Sequence, residues 1–188
     1  MKFNATKQQL IVRSKGLKTL GRLSKDLKKI NCYGNKLKKL PALPKSLDAL
    51  YCTYNELTEL PELPKGLKIL HCGRNKLTAL PEGLEVLVCN ENLLSKLPKL
   101  PKSLKKLCCG WNSLTKLKLN DGLKILDCND NNLTELSGLP SGLVKLRCDY
   151  NQITHLTITA SRPGLPKGLE VLRCSGNKLT ELLELSEG

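Results

Sequence analysis

The sequence predicts a solenoid, a stack of short coils that each give one strand to a single parallel β-sheet. Three observations predict it. First, a Cys followed three residues later by an Asn recurs as Cys32/Asn35, Cys52/Asn55, Cys72/Asn75, Cys89/Asn92, Cys109/Asn112, Cys128/Asn131, Cys148/Asn151 and Cys174/Asn177. Second, an aliphatic residue stands two places before each Cys, as at Ile30, Leu50, Leu70 and Leu87, and another follows nearly every Asn by two places, as at Leu37, Leu57, Leu77 and Leu94. Third, Leu-Pro-x-Leu-Pro segments close several of the units. A period of about 20 residues is that of a repeat unit which buries its apolar face only by stacking on its neighbours.

The elements follow in order along the chain. Residues 1–26 read as a degenerate capping repeat. Leu10, Val12, Leu17, Leu20 and Leu23 keep the spacing, but Lys7 and Lys15 replace the first Leu and the Asn. An array needs such a cap because its outermost face meets water. Residues 27–188 read as eight repeats that start at Leu27, Leu47, Leu67, Leu84, Leu104, Leu123, Leu143 and Leu169. The unit at Leu67 is short, having lost residues between Leu80-Pro81 and Gly83, and the unit at Leu143 carries an insertion around 157–164. Within a unit, Leu-x-Cys alternates with the period of a strand with one buried face. The Asn then turns the chain, and its amide can bond the backbone of neighbouring turns. The next leucines bury under the turn. The proline segment returns extended, because each Pro fixes its φ and disfavours helix in the residue before it. At the end, Leu179, Leu182, Leu183 and Leu185 are followed only by Ser186-Glu187-Gly188, with no polar cap. This predicts a C-terminal end that packs on a neighbour, a downstream domain or a second copy of the chain.

The recurring L-x-x-L-x-C-x-x-N-x-L pattern, with its Asn in register eight times, resembles the leucine-rich repeat family over essentially residues 7–188. The short unit and the Leu-Pro-x-Leu-Pro return are similar to the bacterial effector class of YopM-like and IpaH-like secreted proteins. The Cys within the motif is also similar to arrays encoded by large DNA viruses of amoebae. The resemblance implies a right-handed solenoid, or horseshoe, with its parallel sheet on the concave face, extended proline-rich returns on the convex face and little helix. It also implies a non-enzymatic scaffold that binds another protein along the concave face.

Composition narrows the function classes. No apolar run approaches the roughly 18–20 residues of a membrane span, and the N-terminus lacks an apolar secretory stretch. Eight of the nine cysteines fall on one inward strand position and read as small buried hydrophobes. Stacked strands lie about 5 Å apart, near enough for a bridge. Parallel in-register side chains, however, point the same way, which is poor geometry for one. A reduced column places the chain in a reducing, cytoplasm-like compartment, which would be the host cytoplasm if the likeness to effectors extends to delivery. Cys108 is one residue off register and should point outward. Zinc sites use close Cys/His pairs, and the adjacent Cys108 and Cys109 should face opposite sides, so no metal is expected. Cys128-Asn129-Asp130 matches the Cys-x-Asp of effector ubiquitin ligases, but Cys128 is the repeat cysteine. With no nucleophile elbow, phosphate loop or carboxylate pair, the reading is no enzyme and no cofactor.

The formal net charge is +14, from 31 basic and 17 acidic residues. Outward strand and turn positions carry both signs, and much of the basic excess falls on returns such as Pro44-Lys45, Pro64-Lys65 and Pro101-Lys102. Nucleic-acid or acidic-surface binding is therefore a second reading, disfavoured by the lack of a continuous basic stripe. The recognition half of a longer ubiquitin-ligase effector is a third.

The candidate binding residues are aromatic and cationic. Tyr33, Tyr51, Tyr54, Trp111 and Tyr150 are every Tyr and Trp in the chain, and all fall on outward positions of the strand or its turn, where no core needs them. Arg74, Arg147 and Arg173 share that face, as does His71, beside Tyr51 of the preceding strand. Tyr, Trp and Arg are favoured interface anchors. The predicted centre of the surface is Tyr51, Tyr54, His71, Arg74 and Trp111, near Val86, Val88 and Glu91.

Overall fold

The structure, a computed structural model, describes residues 5–6, 8–80, 84–159, 162–163 and 165–180. Ten strands form one sheet. They are β1 (Ala5–Thr6), β2 (Gln9–Ile11), β3 (Lys29–Asn31), β4 (Ala49–Tyr51), β5 (Ile69–His71), β6 (Val86–Val88), β7 (Lys106–Cys108), β8 (Ile125–Asp127), β9 (Lys145–Arg147) and β12 (Val171–Arg173). From β2 onward every pairing in this sheet is parallel and in sequence order. The N-terminal edge is turned back on itself, because β1 pairs antiparallel with β2. The insertion in the unit at Leu143 forms its own antiparallel hairpin, β10 (Thr157–Thr159) with β11 (Arg162–Pro163). No helix occurs among the described residues.

Register is set by the leucines. Ile30, Leu50, Leu70, Leu87, Leu107, Leu126 and Leu146 stand opposite one another across successive strands, and all are buried. A one-residue slip would turn this row to solvent. Three further buried rows complete the core: Leu27 to Leu143 at the coil starts, Cys32 to Cys148 after the strands, and Leu37 to Ile153 beyond the Asn. From β3 onward the strands of this sheet are three residues long and lie one place earlier than the Leu-x-Cys alternation suggests. The Cys lies just past each strand but stays in the ladder, as in Cys32 N–H to Tyr51 O at 2.8 Å and Cys52 N–H to His71 O at 2.8 Å.

The asparagines form a second ladder inside the first. Asn75 donates from Nδ2 to Cys72 O of its own coil and to Cys52 O of the coil before, while its Oδ1 accepts the Leu57 N–H. Asn92, Asn112, Asn131, Asn151 and Asn177 repeat the arrangement. Each side chain thus satisfies backbone groups of two coils that would otherwise be buried unpaired. The first coil joins as well: Asn35 accepts from Lys15 N–H and Leu17 N–H and donates to Val12 O.

The return of most coils closes on a proline carbonyl. Leu47, Leu67, Leu104, Leu143 and Leu169 each donate N–H to the Pro three places earlier. In the coil before Leu123 that place is taken by Asn120, whose Nδ2 donates to Pro101 O and Leu104 O of the preceding coil.

Candidate functional site

Directly before each ladder Asn the backbone enters the left-handed region. Tyr54 (φ 60), Arg74 (φ 49), Glu91 (φ 54), Trp111 (φ 53), Asp130 (φ 52) and Tyr150 (φ 52) all adopt it, and Gly34 and Gly176 fill the same position in their coils. The turn swings the Asn amide inward while the residue's own N–H reaches the next coil, as in Tyr54 N–H to Gly73 O and Trp111 N–H to Asn129 O. An L-residue bearing a Cβ costs about 1–2 kcal/mol in this conformation. Gly, Asn and Asp are the undemanding choices there. A Tyr or Trp at that place is not selected by the local backbone. The sequence marks these residues as outward but does not reveal the conformation, because the neighbouring coil and the ladder impose it.

These aromatics stand out from the surface. Tyr54 is 52% exposed, Trp111 59% and Tyr150 64%. At the N-terminal end Tyr54 belongs to a stacked line. The Arg13 guanidinium lies 5.4 Å from the Tyr33 ring centre, Tyr33 lies 6.1 Å from Tyr54, and Arg74 covers Tyr54 at 5.5 Å. Arg74 is held in turn by Glu91, Nε to Oε1 at 2.7 Å. Beside this line, on the strands, Tyr51 meets His71 edge to face at 4.8 Å, and Lys29 lies 5.1 Å from the Tyr51 ring. Tyr51 and His71 are only half-buried by these contacts, so neither is the freely solvated side chain that its outward position alone suggests. Burial, and then the nearby Lys106 charge, hold the His71 pKa below its ordinary value, which favours the neutral ring.

The remaining candidates are dispersed. Trp111 sits two coils beyond Arg74, with the Glu91 coil between them, and does not join the stack. Leu93, 61% exposed, follows the Asn92 whose N–H bonds Trp111 O, so an unpredicted apolar residue stands on this part of the rim. Tyr150 leans over Gly176, where a Cβ would come within 2.7 Å of its ring. Arg147 lies 3.9 Å from Asp127 and in register with Arg173. His155 contacts Thr154 and lies far from His71 along its coil.

The outward strand positions form two rows. One reads Asn31, Tyr51, His71, Val88, Cys108, Asp127, Arg147 and Arg173; the other reads Lys29, Ala49, Ile69, Val86, Lys106, Ile125, Lys145 and Val171. The middle of the sheet face is therefore aliphatic, with Ile69, Val86, Val88 and Ile125 half-buried around Cys108. Cys108 does point outward, but its neighbours leave it only 9% exposed, and burial raises its thiol pKa. Ile69 and Ile125 are absent from the sequence-based candidates. Their outward parity is visible in the sequence, but their contribution to one patch depends on register across units of unequal length.

Behind this face the thiols are inert. Burial pushes Cys32, Cys72 and Cys148 up to about 12, and Cys52, Cys89, Cys109 and Cys128 well above the ordinary thiol range. All nine cysteines are free, and Cys174, in the last described coil, is only partly buried. Cys128 occupies the core row, so its match to a ligase Cys-x-Asp places no nucleophile at the surface. Among the described residues, no three His, Cys, Asp or Glu side chains come together as a metal site, and no helix is long and apolar enough to cross a membrane.

A stack of leucine coils joined by an internal Asn ladder, with one parallel sheet, defines a β-solenoid repeat protein. No family model matches the chain, and no curated protein matches it in sequence. Solved structures do. YopM from Yersinia enterocolitica aligns over 96% of this chain and 40% of its own, at 34% identity and a TM-score of 0.88. A Shigella effector LRR domain aligns over 82% of this chain and 71% of its own, at 30% identity and a TM-score of 0.64. The functional domain of InlJ from Listeria monocytogenes, which includes a cysteine ladder, aligns over 93% of this chain and 45% of its own, at 28% identity and a TM-score of 0.70. This chain belongs to the leucine-rich repeat proteins, and its repeats are like those of the bacterial effectors. It spans well under half the length of the YopM chain it matches.

Proposed function

We propose that the chain is a non-enzymatic scaffold that binds another protein on the open face of its sheet, in the manner of an effector interaction module. The observation that carries this reading is the placement of Tyr54, Trp111 and Tyr150. Each is more than half exposed, and each occupies a left-handed position where its side chain costs stability. The fold uses Gly at the same position twice, so it has no need of an aromatic there. Large, stiff aromatics beside Arg are the anchors that interfaces favour, because they bury much area for little lost freedom. The aliphatic patch next to them, with charged side chains around it, has the composition of an interface core and rim. The buried thiol column is consistent with work in a reducing compartment.

The experiment is affinity capture from a candidate host lysate, read by mass spectrometry, followed by binding measurements on the captured protein. Tyr54→Ala and Trp111→Ala should each weaken binding by roughly 1–3 kcal/mol without unfolding the chain. Lys45→Ala, Lys65→Ala and Lys102→Ala on the returns should change little beyond association rate at low salt. Normal binding by the aromatic variants, with loss in the lysine variants, would move the site to the basic returns.

A further inference from the structure

We propose that Lys106 reads a carboxylate on the partner, and that the segment docking on the sheet face is a polypeptide that sets an Asp or Glu beside an aliphatic or aromatic side chain. The inference deepens the protein-binding reading and rests on it. Lys106 stands in the outward row between Val86 and Ile125, with Cys108 one step along its own strand and Val88 beside Cys108. It is half-buried, whereas Lys145, between Ile125 and Val171 in the same row, is exposed. Three acids of the surrounding face are engaged elsewhere. Glu85 lies 3.8 Å from Lys68, Glu91 lies 2.7 Å from Arg74, and Asp149 Oδ1 accepts the Ser175 N–H. Asp127, the acid nearest in register, has its Oδ2 3.9 Å from Arg147 and its buried Oδ1 without a hydrogen-bond partner, and it feels the Lys106 charge from beyond ion-pair distance. Among the described residues no carboxylate lies within 4.0 Å of Lys106.

A cation held among aliphatic side chains attracts an incoming carboxylate more strongly than one in open water, because the local dielectric is lower. The influence of Lys106 already reaches its neighbours, since it helps to hold His71 neutral. The required ligand pattern follows from the spacing. Adjacent strands lie about 4.8 Å apart, and an extended peptide repeats its facing side chains every 6.6 Å or so. A carboxylate over Lys106 therefore brings a side chain one or two positions away onto the Val86, Val88 or Ile125 surface. A polyanion such as nucleic acid fits less well, because Glu85, Glu91, Asp127, Asp130 and Asp149 would face its other phosphates.

The test is selection of a random 12-residue peptide library, displayed on phage, against the full chain and against Lys106→Met and Lys106→Glu, with the pools sequenced. Circular dichroism and melting establish that both variants fold. The wild-type pool should be enriched in Asp or Glu one or two positions from Leu, Ile, Val, Phe, Tyr or Trp. The Lys106→Met pool should keep the apolar preference and lose the acidic one, and the Lys106→Glu pool should favour Lys or Arg. A peptide from the wild-type pool should bind Lys106→Met about tenfold more weakly. Pools with the same acid content on wild type and Lys106→Met overturn the assignment while leaving protein binding intact. Failure to enrich any peptide counts against both. A labelled single-stranded oligonucleotide that binds wild type, and binds Lys106→Met less, overturns both in favour of nucleic acid.

Discussion

The inward and outward sides of the same coils obey different rules. Inside, residue identity repeats: Leu at the start, Leu or Ile on the strand, Cys after it, then Asn and Leu, nearly all buried and in register. Outside, it does not repeat. The position before the ladder Asn is Gly, Tyr, Arg, Glu, Trp, Asp, Tyr and Gly in successive coils, although its backbone conformation is the same throughout. The contrast separates two demands on the sequence. What the stack needs, every coil must supply; what one coil alone supplies is not needed by the stack. Trp111 and Lys106 belong to the second class, while Asn75 and Cys72 belong to the first.

The inward side should fail first at alkaline pH. Burial raises the folded-state thiol pKa values of Cys52, Cys89, Cys109 and Cys128 well above the ordinary range, and those of Cys32, Cys72 and Cys148 to about 12. Because the folded values lie above the unfolded ones, this stability is fully present below about pH 8.5, where the unfolded thiols begin to ionise. It is lost as pH rises toward the folded values. Each buried thiol removes on the order of 1.4 kcal/mol per pH unit in that window, so several together exceed a typical domain stability within one or two units. The expected result is cooperative unfolding between about pH 9 and pH 11, followed by circular dichroism. Replacing Cys52, Cys72 and Cys89 with Ala should move the midpoint upward. An alkaline midpoint unmoved by the triple replacement would show that the thiols do not set it.

Single substitutions sharpen the contrast. Asn75→Ala removes hydrogen bonds to Leu57 N–H, Cys52 O and Cys72 O in the interior and should cost about 3–5 kcal/mol in denaturant unfolding. Cys72→Ser places a hydroxyl in the thiol column and should cost about 1–3 kcal/mol. Lys145→Ala, on the outward row, should stay within about 0.5 kcal/mol of wild type. A Lys145 effect as large as that of Asn75 would erase the division between the two sides.

How much of this was legible in the sequence follows the same division. The eight Cys/Asn pairs, the strand at each Leu-x-Cys and the helix-free returns can be read, because coils that must stack repeat their residues; the insertion near residue 157 can be read as a break in the period, but its antiparallel pairing cannot. The outward parity of Tyr51, Tyr54, His71 and Trp111 can be read too. The left-handed turn at Tyr54 and Trp111 cannot, because Tyr and Trp carry no local preference for it and the ladder around Asn55 and Asn112 imposes it. The Ile69, Val86, Ile125 patch and the place of Lys106 within it depend on register across the short unit at Leu67, which period alone does not fix. The stack of Arg13, Tyr33, Tyr54 and Arg74 is not legible, since side-chain direction at a left-handed residue is not set by spacing. Leu182, Leu183 and Leu185, on which the expectation of a self-associating end rests, lie outside the described residues.

The claim that outward aromatics serve binding at the expense of the fold is tested most directly at Trp111. Among the described residues this side chain has no aromatic or cation–π partner, and 59% of it is exposed, so its removal gives up contact over only the smaller part of its surface. Gly already occupies the equivalent place as Gly34 and Gly176. Trp111→Gly should therefore raise unfolding stability by roughly 1 kcal/mol, through relief of the left-handed strain. The same variant should lose most of its affinity for the protein captured by wild type. A fall in stability of similar size, with binding unchanged, would mean that Trp111 belongs to the stack and would contradict the account.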